Sequence, residues 1–162
     1  GQRERLLLQI AVLIHACGKF ISVRNSNECA YNIIMSTEII GISHLEREII
    51  ANVVRYNIRD FDYNKVRMET ELDAVTDSFG GQNEVMLLIA KLTAILRLAN
   101  SMDRGHGDKL ADCKMAVKDG KLMITTDYPG DITLEAVSFE QKAAFFEEIF
   151  GIRPVLRHKK YS

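Results

Sequence analysis

Three things are scarce in this sequence, and each scarcity excludes something. One is charge of a single sign. Lys and Arg number 21 against 22 Asp and Glu, a net charge of −1, so no global field draws the chain to nucleic acid or to an anionic membrane surface. Another is cysteine. Cys17, Cys29 and Cys113 are an odd number without Cys-x-x-Cys spacing, which points to a reducing compartment and away from a disulfide framework. The last is the long apolar run. Ile10–Ile14 and Val85–Ala90 are the longest, against the roughly 20 residues a bilayer demands, and the opening stretch does not read as a secretory signal. There are two prolines and no low-complexity tract or repeat. The expectation is a cytoplasmic protein that engages neither nucleic acid nor membrane.

What remains is ordinary globular material: 162 residues, 47% hydrophobic and 27% charged, enough for one compact domain, or a domain with a small extension, with a real core. Residues 4–17 are apolar almost all round (Leu6, Leu7, Leu8, Ile10, Ala11, Val12, Leu13, Ile14), the pattern of a buried helix. The chain enters this helix without a preceding turn. It is therefore expected to start inside a larger protein, with Gly1 a cloning remnant. A polar loop (22–28) leads to a short helix over 29–37. Ser43 and Glu46 form a Ser-x-x-Glu capping box, which predicts a helix from His44 to Tyr56. After a loop (56–64), a polar helix over 65–78 is stopped by Gly80-Gly81. Asn83 is then expected to cap a long helix, Glu84 to Met102, again apolar on most faces.

Beyond "RGHGDKL" the period changes. Asp119-Gly120 sits between two alternating runs, a strong hairpin signal. "DITLEAV" alternates as a third strand would. Ser138 and Gln141 make a second capping box for a helix over 139–150, Gly151 ends it, and "IRPVLRH" reads as a fourth strand. The expected fold is α+β and mostly helical: a helical domain over 1–107, then a small β-β-β-α-β lobe over 108–162.

The motifs "LLLQIAVLIHACGKFIS", "AYNIIMSTEIIGISHLEREIIANVVRYN", "KLTAILRLANSMDRGHGDKL" and "LEAVSFEQKAAFFEEIFGIRPVL" occur in an order that resembles the C-terminal half of the bacterial exopolyphosphatase / guanosine pentaphosphate phosphatase family. The resemblance covers essentially the whole chain. It implies an HD-like helical domain, lacking its upstream first helices, followed by a small α+β lobe. It also implies N-terminal actin-like domains that hold the phosphoanhydride-cleaving site with Mg²⁺, so that no cofactor is expected in this chain.

HD chemistry uses an adjacent His-Asp pair and a distal Asp to hold divalent ions that activate water. By the resemblance, the pair falls on His15-Ala16 and the distal Asp on Asn100; two further histidine positions fall on Cys29 and Asn57. Of these positions only His15 keeps the residue of the family's pattern. A hard cation prefers anionic oxygen ligands, so the set is degenerate: no catalytic or metal residue is expected, and the chain alone should be inactive. His15 would be either a ligand remnant or a satisfied core histidine, with Cys17 and Cys29 as conceivable soft-metal partners.

Anion contact is the other candidate chemistry. Arg97, Asn100 and Arg104 fall at i, i+3 and i+7 on one helix face, and His106 and Lys109 crowd the end of that helix. Guanidinium groups fork two hydrogen bonds to phosphate oxygens; the rival role for these side chains is pairing with Asp103 or Asp108. "RHKK" (157–160) is a basic tail, and Lys114, Lys118 and Lys121 read as solvated edge-strand charges.

The leading expectation is a non-catalytic accessory domain of an exopolyphosphatase-like enzyme, helping to bind polyphosphate or guanosine pentaphosphate or to form a homodimer. The alternatives are an active HD phosphohydrolase on a nucleotide and a purely structural or regulatory dimerisation module.

Overall fold

The computed structural model describes residues 1–69 and 80–159. Residues 70–78 of the helix expected over 65–78, and Lys160 of the basic tail, lie outside the described residues. The chain forms two compact units, Gly1–Leu96 and Arg97–Ser162. The fold is α+β and mostly helical, as expected.

The first unit contains α1 (Gln2–Ile14), a 3-10 turn (Cys17–Phe20), α2 (Ser26–Ser36), α3 (His44–Tyr56) and α4 (Tyr63–Glu69); α5 (Gln82–Met102) runs across the division. The capping box expected at Ser43 is present: the Glu46 N–H donates to Ser43 Oγ at 3.2 Å and the Ser43 N–H donates to Glu46 Oε2 at 2.8 Å. At α5 the expectation shifts. The helix begins at Gln82, so Asn83 lies inside it and is not its cap.

Burial is distributed differently from the apolar pattern. The most enclosed element is α3, where every residue except His44 and Arg47 is buried. It packs against both α1 and α2, and Val85, Ile89, Leu92 and Leu96 of α5 join the same core cluster. In α1 only Leu7 and Ala11 are buried, and Leu13 is 82% exposed. The expectation that α1 is wholly buried is therefore corrected. A helix apolar on several faces buries only the faces that have neighbours. By length and composition α5 could cross a membrane, a property the short apolar runs did not show. Just over half of its apolar window is buried inside the protein, as in a core helix.

Buried Glu46 and Arg55 are both paired. Glu46 accepts a fork from Arg3, whose Nη2 lies 2.7 Å from Oε2 and 2.7 Å from the Gly41 carbonyl. Glu28 of α2 takes both Nε (2.9 Å) and Nη2 (2.8 Å) of buried Arg55 and also pairs with Arg59. The Arg55 guanidinium lies over the Tyr31 ring, 4.6 Å from its centre. These ties join segments 27 to 43 residues apart, and each gives a carboxylate a counter-charge in place of the water it loses.

The second unit follows the order β1 (Lys114–Lys118), β2 (Lys121–Thr126), α6 (Thr133–Phe150), β3 (Arg153–His158). The sheet order is β1-β2-β3, with β1 antiparallel and β3 parallel to β2, so α6 is the crossover between β2 and β3. The Asp119-Gly120 turn has φ of +52° and +69°, the left-handed pair that a two-residue hairpin requires. Gly151, at φ +69°, ends α6.

Two expectations change here. "DITLEAV" is not a strand but the start of α6, so the described lobe has three strands in β-β-α-β order. Ser138 is a mid-helix residue, not a cap. The N-cap is Ile132, without a capping side chain; just before it Asp131 turns the chain, its Oδ1 accepting from the Thr133 N–H at 3.1 Å and the Thr133 hydroxyl at 2.6 Å. The buried stripe Ile132, Glu135, Phe139, Ala143, Phe146 has helical spacing. A glutamate within that stripe hid it. Of the basic tail, Arg157 and His158 belong to β3, and the Lys159 N–H donates to the Thr126 carbonyl at 2.9 Å.

Candidate functional site

The positions that the resemblance sets for metal ligands are built as follows. His15 caps the C-terminus of α1 and is half-buried, not a core residue. Its Nδ1 is 2.6 Å from the Val12 carbonyl. A carbonyl only accepts, so Nδ1 carries the proton and the ring serves the helix end. Ala16 follows with no ligand atom. Cys29 lies half-buried near the start of α2, and Asn57 is the buried C-cap of α3. Asn100, a second neutral amide, is on α5 in the part assigned to the second unit. Among the described residues, no group of three or more His, Cys, Asp or Glu side chains is arranged to hold a metal ion. Burial pushes the Cys17 thiol above its usual pKa, against partial relief from backbone N–H groups. That disfavours the thiolate a soft metal needs.

The four anion candidates are sorted by the structure into two kinds. Arg97 is buried, its guanidinium over the Phe145 ring at 4.6 Å from the centre. Lys109 reaches inward, its Nζ 3.3 Å from Glu135 Oε2 and 3.0 Å from the Asp131 carbonyl. Arg104 and His106 are exposed. Because α5 ends at Met102, Arg104 lies beyond it, and the helical i, i+7 relation to Arg97 does not apply. His106 is 82% exposed, with Nδ1 3.6 Å from Asp103 Oδ2.

The turn carrying these two side chains is tightly specified. The His106 N–H donates to the Asp103 carbonyl at 3.0 Å and the Asp108 N–H donates to Asp103 Oδ1 at 3.3 Å. His106 and Asp108 hold φ of +50° and +49°, left-handed values that non-glycine residues adopt rarely. Behind the turn stands Glu135, 1% exposed, accepting from the Gly105 N–H at 3.2 Å as well as from Lys109. Sequence reasoning missed Glu135. Its signal was the spacing of "DITLEAVSF", which fits a helix stripe once the glutamate is counted as an inward residue. Two open clefts, one along Tyr56–Lys65 and one between the start of α6 and the end of β3, are lined by none of the four candidates.

A family model, Ppx/GppA phosphatase, domain III, matches residues 1–142. The chain belongs to the Ppx/GppA phosphatase family. The match to domain III takes in all of the first unit, the Asp103–Lys109 turn, the hairpin and the first half of α6, and stops before β3. Curated protein sequences offer no match to the chain.

Proposed function

We propose that this Ppx/GppA domain III is a non-catalytic accessory domain of a phosphohydrolase that cleaves phosphoanhydrides, with polyphosphate or guanosine pentaphosphate as the substrate class. The N-terminal actin-like domains of the parent would hold the Mg²⁺ and the reacting water. What supports the reading is the donor set: by the resemblance, HD metal-ligand positions fall on Ala16, Asn57 and Asn100, and Mg²⁺ or Mn²⁺ is held by anionic oxygens. Substrate contact would come from Arg104 and His106, while Arg97 and Lys109 serve the interior of their unit.

Two measurements test this. Elemental analysis of the purified chain should find no stoichiometric divalent ion. About one Mn, Fe or Zn per chain, lost in His15→Ala, would revive the HD enzyme reading. In the full-length parent, Arg104→Ala should weaken long-chain polyphosphate binding about tenfold at low salt, the worth of one charge-assisted hydrogen-bonding group. The affinity should fall steeply as salt rises, since a neutralised polyanion releases counterions. Unchanged affinity would remove Arg104 from the substrate path.

A specific observation favours docking as a second role. Leu13, Phe20, Ile21 and Val23 lie within one short stretch and are each more than two-thirds exposed. Large apolar side chains left open together mark interaction surfaces. The homodimer and the actin-like domains are the proposed partners.

A further inference from the structure

The side chains at the proposed contact do not stand on a free loop. Gly105, His106, Gly107 and Asp108 form a turn in which both non-glycine residues are left-handed. Such a conformation persists only where surrounding contacts over-determine it. Two carboxylates supply those contacts. Asp103 closes the turn from within, through the Asp108 N–H. Glu135 holds it from behind, from a helix 30 residues further along the chain.

Glu135 is unusual for where it sits. Carboxylates are rarely this buried unless paired, and this one lies in the apolar stripe of α6 with Phe139 and Ala143. A leucine there would pack against the same core without the cost of desolvating a charge. One Glu135 oxygen is spent on the Gly105 N–H, the other on Lys109 Nζ, and Lys109 in turn bonds the Asp131 carbonyl just before α6. The effect is to tie both ends of the turn to one rigid helix. Gly105 leaves room for this approach: a Cβ there would stand 2.6 Å from Glu135 Oε1, so a side chain at this position obliges the carboxylate to shift.

We propose that Glu135 is a positioning residue, which fixes the Gly105–Asp108 turn so that the Arg104 guanidinium and the His106 ring are presented together to a phosphate oxyanion. This rests on the reading of Arg104 and His106 as substrate contacts. Pre-ordering the turn spares a ligand the entropy of fixing two long side chains, and that saving appears as affinity. Asp103, close to His106 Nδ1, leaves Nε2 as the ring nitrogen for the ligand. The neighbouring Asp103 and Asp108 keep the local charge low, so binding by the chain alone is weak and depends on geometry more than on field.

The test is a titration of the 162-residue chain with tripolyphosphate at low salt, followed by amide and imidazole nitrogen shifts, with the melting temperature of every variant measured alongside. The wild-type chain should shift at Arg104, His106 and Gly105. Arg104→Ala should weaken binding about tenfold. Glu135→Ala should weaken it about fivefold, with Glu135→Gln restoring most of the loss, because the amide oxygen still accepts from the Gly105 N–H. Gly105→Ala pushes the Glu135 carboxylate off the turn without changing any charge and should match Glu135→Ala with the melting temperature kept; it decides the matter if Glu135→Ala does not fold. A loss in Arg104→Ala but none in Gly105→Ala or Glu135→Ala would overturn the positioning role and leave the contact reading intact. No shift at Arg104 and His106 in the wild-type chain, or wild-type affinity in Arg104→Ala and His106→Ala, would overturn both.

Discussion

Gly18→Ala should unfold the first unit or cost it at least about 3 kcal/mol, the upper end of overpacking penalties. Gly18 is buried in the 3-10 turn after α1. A Cβ built there lies 1.8 Å from the Ser26 carbonyl oxygen and 2.6 Å from the Ala30 nitrogen. Both are backbone atoms of the first turns of α2, so no rotamer change relieves the collision. Either α2 moves away from the 3-10 turn, or the turn leaves α2 and opens the core at Ala30 and Ile34. Urea denaturation compared with the wild-type chain checks this, and a loss under about 1 kcal/mol would mean that the 3-10 turn and α2 are not in close backbone contact in solution. The neighbouring Lys19→Ala, at an exposed position, should change stability by less than about 0.5 kcal/mol.

The second large effect is acid sensitivity through Glu46. Arg3 beside it holds the carboxyl well below the usual range, at about 2; the Ser43 N–H helps, and burial opposes. A group whose folded pKa is depressed adds stability that is complete above its unfolded pKa, about 4.3 for glutamate, and is lost as pH falls toward the folded value. Between roughly pH 4.5 and 2 this carboxylate should therefore give up about 2–3 kcal/mol, a figure lowered because Arg3 is nearly half exposed and partly screened. Glu46→Gln should lose a similar amount at pH 7 and flatten that part of the pH–stability profile. Glu28, also held low by Arg55, leaves a residual slope, so the informative quantity is the difference between variant and wild type. Equal slopes in the two proteins would mean that the Arg3–Glu46 fork does not persist in solution.

The elements whose determinants are local were legible in the sequence. Ser43 and Glu46 are three residues apart, and the helix they open has the predicted ends, His44 and Tyr56. Asp119-Gly120 forms the hairpin turn, and Gly151 stops α6 where a left-handed residue is needed. In each case a few neighbouring side chains settle their own backbone, whatever surrounds them. The motif order pointed to the phosphatase family for the same reason, since it needs only the string of residues.

What tertiary structure decided was which faces and charges find partners. Apolar pattern alone ranked α1 with α5 as the buried helices, yet enclosure belongs to α3, which lies against both α1 and α2. A pattern shows that a face prefers to leave water but not how many neighbours reach it. "DITLEAV" reads as a strand in isolation and is helical where Asp131 turns the chain into the helix through the Thr133 N–H and Glu135 is matched by Lys109 from 26 residues away. Arg97 and Arg104 look equivalent in the sequence, but one is buried with its guanidinium over the Phe145 ring and the other is exposed. A carboxylate or an aromatic ring brought near from a distant segment determines whether a charge can be buried, and no local spacing encodes that proximity.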